Sequence, residues 1–148
     1  MDESFTGFSF RYAGFWLRLV AAVIDAGLLL ILVWLLSLAF GVNITSPVHE
    51  GADFLNFRLF ELSALFFAWL YFAVMESAVP QATVGKLFMG IYVTDMEGER
   101  LLFSRASIRY WLKYVTIFTF FIGFVMAAFN RQKQALHDKF VKSLVLKR

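Results

Sequence analysis

Hydrophobic positions in this chain gather into three long runs, separated by polar segments that carry most of the basic residues. The first run, Leu17–Phe40, is an almost unbroken series of Ala, Gly, Leu, Ile, Val, Trp and Phe. The second, Phe57–Val79, has a Phe-rich centre from Leu62 to Met75 that includes Trp69 and Tyr71, and Pro80 stops it. The third, Tyr114–Asn130, contains no charged residue. An apolar run of about 20 residues is long enough to cross the hydrocarbon core as a helix. The pattern predicts an all-α membrane protein with two to three transmembrane helices. They cover about 17–40, about 57–79, and about 109–129, the last either spanning or re-entrant.

The polar segments have distinct characters. Residues 1–16 hold Phe5, Phe8, Phe10, Tyr12, Phe15 and Trp16 around Arg11, an aromatic and basic mixture that anchors at the membrane interface. Residues 41–55 are loop-forming. Between about 90 and 102, a β-branched piece, Ile91-Tyr92-Val93-Thr94, meets an acidic turn containing Gly98, which predicts a short cytoplasmic β-hairpin-like segment. Arg105, Arg109 and Lys113 recur every four residues and form one basic helical stripe beside Tyr110, Trp111 and Tyr114. The stripe either snorkels to anionic headgroups or turns Arg109 or Lys113 inward against Asp25 or Glu76. The tail from Val141 to Arg148 is strand-like.

Composition agrees with the pattern. Of 148 residues, 60% are hydrophobic and 17% charged, against about 45–50% and about 25% for a soluble domain. The whole chain, 1–148, reads as a single transmembrane domain with 1–16 as its interfacial N-terminal segment. There is no Cys, so disulfides, zinc ribbons and thiol nucleophiles are excluded. A net charge of +3 fits cytoplasmic loops, with membrane lipid rather than nucleic acid as the partner.

Charge within the apolar runs is the candidate chemistry. Asp25 lies inside the first run, where a carboxylate costs roughly 2.5–3.5 kcal/mol on the gentlest insertion scale. It shares a helix face with Arg18, but seven residues amount to about 10 Å of rise, too far for an easy salt bridge. Glu76, near the end of the second run, falls in the same half of the bilayer if the spans are antiparallel. Two acids there repel unless a cation or a proton separates them. Lys86, Arg109 and His137 are the candidate neighbours, and Asp138 follows His137 directly. Gly85-Lys86 is no P-loop, because the upstream glycine is missing and Leu87 stands where Ser or Thr would hold magnesium. His49, Glu50 and Asp53 lack metal-ligand spacing. No metal or other cofactor is expected.

Topology carries a conflict. Basic residues cluster at Arg11 and Arg18, from Lys86 to Lys113, and from Arg131 to Arg148, which puts the N-terminus and the 80–113 segment in the cytoplasm. A full third crossing would export six basic tail residues. A re-entrant third run removes the conflict, keeps the C-terminus cytoplasmic, and lets Ser143–Leu146 pair with Tyr92–Thr94.

Three boxes in order carry a resemblance. They are Arg18-x-x-Ala21-x-x-Ile24-Asp25; then Ala82-Thr83-x-Gly85-Lys86-x-x-x-Gly90-x-x-Val93-x-Asp95-x-x-Gly98; then Gln134-Ala135-Leu136-His137-Asp138-Lys139. Over about residues 11–147 the chain resembles the RDD family of small bacterial membrane proteins, named for one arginine and two aspartates. The resemblance implies that Arg18 is the arginine and Asp25 the first aspartate, with Asp138 assigned as the second. Val84 departs from a proline common in that loop, and Lys142-Ser143-Leu144 departs from a small residue followed by Thr. The resemblance also implies a multi-pass protein of the bacterial cytoplasmic (inner) membrane, for which ligand transport and, in some members, cation/proton exchange have been proposed.

Two functions are therefore expected. In the first, the protein transports an ion or small ligand in cation/proton exchange. Asp25 binds the proton or cation, Arg18 tunes it, and Glu76 offers a second site. Two or three spans hardly enclose a pathway, so this reading needs a homo-oligomer or another membrane protein as partner. In the second, the protein is a non-catalytic structural or accessory module. Arg18, Asp25, His137 and Asp138 then latch the helix ends together. An enzyme is not expected, since adjacent His137 and Asp138 are not oriented as a base and its carboxylate partner.

Overall fold

The structure, a computed structural model, describes residues 11–45, 52–118 and 135–148. Helix α1 runs Phe15–Phe40 and α2 runs Ala52–Ser77. Then follow a short helix α3 (Val84–Phe88), strand β1 (Ile91–Asp95), helix α4 (Phe103–Phe118), a short helix α5 (Leu136–Phe140) and strand β2 (Ser143–Lys147). The expectations placed on residues 1–10, on His49 and Glu50, and on 119–134 of the third run lie outside the described residues, as does the side chain of Asp53.

The two long helices match the first two apolar runs. Each has 26 residues, about 39 Å of rise, enough for a hydrocarbon core of about 30 Å. Glycine ends α1: Gly41 sits at φ 63°, and its amide closes on the carbonyls of the last turn. Both helices pass the length and composition test for a membrane span, and little of either is buried within the protein. Leu30, Ile31, Trp34, Leu35 and Leu38 of α1 and Leu62, Leu65 and Phe66 of α2 face outward. In water that surface would be prohibitive; in a bilayer it is the ordinary exterior.

At one end of the α1–α2 pair lies a small mixed layer. β1 and β2 pair antiparallel, with Tyr92 opposite Leu146, Val93 opposite Val145 and Thr94 opposite Leu144. The acidic turn after β1 is present: the Asp95 Oδ1 accepts the amides of Glu97 and Glu99. The strand partner, however, comes from the C-terminal tail rather than from the residues just past that turn. Residues before α1 join β2 on its other edge, where the Ala13 amide donates to Val145 and the Lys147 amide to Arg11. Residues 11–13 and β2 are thus stitched into the same layer. Its core is Ala13, Ala21, Ile91, Val93, Leu101 and Val145, with Leu17 and Met89 packed against it.

α4 begins six residues before the sequence-predicted 109. It packs along α2, where the Trp69 indole N–H donates to Ser107 at 2.6 Å and the rings of Phe72 and Tyr110 lie 5.6 Å apart. α5 then returns to α4 beside Arg109.

Candidate functional site

Every buried charge in the described structure lies where the long helices meet the surface layer, and the charges fall into two groups. The first is centred on Asp25 of α1, which is 2% exposed. Its Oδ1 accepts the Tyr71 hydroxyl at 2.8 Å and the Gly85 amide at 2.8 Å; its Oδ2 accepts the Thr83 hydroxyl at 2.6 Å. The Tyr71 hydroxyl in turn accepts the Val84 amide at 3.0 Å. These amides belong to the first turn of α3, which has no side-chain cap of its own. A helix start leaves its first amides without intrahelical partners. Asp25 and Tyr71 satisfy two of them from neighbouring helices, a cap supplied across the fold. The approach is close: a Cβ on Gly85 would come 2.1 Å from the carbonyl oxygen of Ala21 and 3.0 Å from the Asp25 carboxyl carbon.

The second group is an ion-pair hub drawn from five elements. Glu76, at the end of α2, receives Lys86 of α3 at 2.6 Å and Arg109 of α4 at 2.6 Å, with Lys113 at 3.5 Å. Asp138 of α5 receives Arg18 of α1, and Arg109 in fork geometry through Nε at 2.9 Å and Nη2 at 2.6 Å. It also accepts the Ala135 amide, and His137 Nε2 lies 3.4 Å away. Arg109, 2% exposed, bridges the two carboxylates. Its planar fork suits that role in a way a lysine would not.

Electrostatics outside the spans follow from burial. Burial pushes the Lys86 ammonium down to about 7 against the pull of Glu76, and pushes His137 down to about 3 against the pull of Asp138. Burial works against an ionised Asp138, but Arg109 and Arg18 outweigh it and hold its carboxyl well below the usual range.

Sequence reasoning named Arg18, Asp25, Glu76, Lys86, Arg109, His137 and Asp138. The structure gathers all but Asp25 into the hub. The expected Arg18–Asp25–His137–Asp138 latch is corrected in one member. Arg18 reaches Asp138, while Asp25 sits apart among neutral donors. The helix explains this, since side chains lean toward the N-terminus and Arg18 leans away from Asp25, onto the Ala13 carbonyl and Asp138. The inward turn considered for Arg109 or Lys113 occurs for both, onto Glu76. Tyr71 was missed as a partner. Its signal was a phenolic hydroxyl in a Phe-rich run, which cannot stay unbonded when buried.

The chain is 29% identical over 147 residues to a Bacillus subtilis protein titled "Uncharacterized protein YxaI", covering 90% of this chain and 96% of that one. It is 26% identical over 143 residues to the B. subtilis "Uncharacterized membrane protein YteJ", covering 91% of this chain and 80% of the relative. No solved structure matches. The model of the RDD family matches residues 12–142, the stretch that holds Arg18, Asp25 and Asp138, and the protein belongs to that family.

Proposed function

We propose that this protein is a non-catalytic structural or accessory module of the bacterial inner membrane, in which the hub latches two spans to a cytoplasmic surface layer. One observation carries the reading: the buried carboxylates are saturated. Asp25 holds three hydrogen-bond donors. Glu76 and Asp138 hold cations from α1, α3 and α4. A carboxylate that exchanges protons or cations needs a free face toward water, and these are closed by neighbours. The described cavity lined by Val33, Arg58, Phe60, Glu61, Leu62, Ala64 and Leu65 touches none of them. Buried polar networks of this kind can specify one arrangement of the helices they join.

The orientation follows the positive-inside rule. Arg11, Arg100, Arg105, Lys139, Lys142, Lys147 and Arg148 lie in and around the β1–β2 layer, whereas Arg58 near the opposite end pairs with Glu61 at 2.9 Å. Both termini are cytoplasmic in this reading. The module acts by holding a second copy or another membrane protein.

One feature supports transport as a second reading: Lys86 is buried against Glu76 at 2.6 Å, and burial pushes its ammonium down to about 7. Reconstitution separates the two. The module reading expects vesicles containing the protein to move neither protons nor alkali cations under an imposed gradient. Flux through the wild type that disappears in Lys86→Met or Asp25→Asn would overturn it.

A further inference from the structure

The hub holds more positive than negative charge. Glu76 and Asp138 are its two carboxylates; Arg18, Arg109 and Lys113 bond them as cations, and Lys86, pushed to about 7, adds a fourth positive charge when protonated. His137 stays neutral beside them. A buried excess of charge is costly, and here it is concentrated in two donors. Arg18 Nη2 is buried with no hydrogen-bond partner among the described residues. Lys113 reaches Glu76 only at 3.5 Å, because Lys86 and Arg109 hold the same carboxylate at 2.6 Å. Its other contact is the face of Phe72, 3.9 Å from the ring centroid. An ammonium carries three donors, and those of Lys113 are poorly used.

Lys113 is also the hub cation open to the outside, its side chain 20% exposed. It lies on the helical stripe that starts at exposed Arg105, and the exposed rings of Trp111 and Tyr114 flank it. Exposed Trp and Tyr mark the depth of lipid headgroups, which is the depth of their phosphates. A phosphate ester brings negative charge and several acceptor oxygens to unsaturated N–H donors, the strong charge-assisted kind of hydrogen bond.

We propose that Lys113, backed by the hub's excess charge, binds a phosphate-class anion at the membrane–water boundary. The shared chemistry is the phosphate group; its source is an anionic lipid headgroup or free phosphate. The inference rests on the hub's charges and not on what the latched module does, so it stands or falls separately from the proposed function.

The test is thermal stability of the purified full chain in neutral detergent. Four additions are compared: phosphatidylglycerol, phosphatidylcholine at the same mole fraction, inorganic phosphate, and sodium chloride at matched ionic strength. A rise of several degrees with phosphatidylglycerol alone assigns a lipid headgroup. A rise with inorganic phosphate as well assigns the anion irrespective of its carrier. Lys113→Met keeps the aliphatic stem over Phe72 and removes one surplus charge. It is expected to melt no lower than the wild type without anion and to lose the rise. The proposal is overturned if the wild type gains no more from phosphatidylglycerol or phosphate than from the controls, a comparison that needs no variant to fold. A full rise retained by Lys113→Met overturns it equally.

Discussion

Gly85 lies so close to Ala21 that a Cβ at position 85 would sit 2.1 Å from the Ala21 carbonyl oxygen. That oxygen is backbone, held within α1, and cannot swing aside as a long side chain would. Gly85→Ala therefore forces α3 away from α1 and stretches the Gly85–Asp25 hydrogen bond. Overpacking a close contact costs about 1–3 kcal/mol and occasionally more, and a site with two obstructions belongs at the upper end. Gly85→Ala should lower the melting temperature in detergent sharply, while Gly27→Ala, with open space around its Cβ, should leave it almost unchanged. Equal melting of the two variants would show that the α1–α3 approach is looser than described.

Asp25 offers a sharper contrast between two substitutions. Asp25→Ala strands the Gly85 amide and the hydroxyls of Thr83 and Tyr71. A buried donor left unbonded costs about 1–3 kcal/mol, so this variant should fold poorly. Asp25→Asn keeps a carbonyl oxygen for Tyr71 and Gly85, and the Thr83 hydroxyl can rotate to accept from the new amide. Its loss should be about 1–2 kcal/mol, the difference between a charged and a neutral acceptor. The check is folded yield and melting temperature of the pair. An Asp25→Asn protein as damaged as Asp25→Ala would mean that the charge itself, rather than capping of α3, keeps an acid there.

The two hub arginines should not be equivalent. Arg109 bonds both Glu76 and Asp138, whereas of the two carboxylates Arg18 bonds only Asp138. Removing one partner of a buried ion pair costs about 3–5 kcal/mol because the other charge stays buried. Arg109→Met takes a cation from two carboxylates at once, leaving Glu76 to Lys86 and Asp138 to Arg18, and should accumulate far less folded protein than Arg18→Met. Arg18→Met leaves Asp138 with the Arg109 fork and should survive with reduced stability. Arg109→Lys should recover little, since an ammonium cannot span both acids. Expression and size-exclusion profiles of the three variants rank them.

Much of this architecture was legible because membrane crossing is written in run length, and the hub partly because an acid in an apolar run must find company. The pairing of Tyr92–Thr94 with Ser143–Leu146 was legible too, since these two short strand-like pieces had few other partners. The partners of Asp25 were not. Tyr71, Thr83 and Gly85 lie 46, 58 and 60 residues from it in sequence. Only the packing of α3 against α1 brings two of them within reach. Arg18 and Asp25 share a helix face, yet the rise between them already spoke against a direct salt bridge, and the structure shows none between them. Rise along the axis and the lean of the Arg18 side chain decided its partner.

His137 gives the last prediction, a pH dependence of stability. Burial lowers its pKa from 6.5 to about 3, and the charged groups acting on it are Asp138 and Glu76, which favour the proton, and Arg109 and Lys113, which oppose it. The unfolded chain binds a proton at this histidine below 6.5, and the folded chain does not until about 3. Between those values the unfolded state holds more protons, so stability falls as pH falls, by up to about 1.4 kcal/mol per pH unit from this residue. Asp138 acts in the same direction at lower pH, since its carboxyl is held ionised by Arg109 and Arg18 in the fold. Melting temperature should therefore drop steadily from pH 6.5 toward pH 4 in the wild type. His137→Gln, which cannot charge, should flatten that slope whatever its stability at neutral pH. If its curve runs parallel to that of the wild type, the acid sensitivity arises elsewhere in the hub.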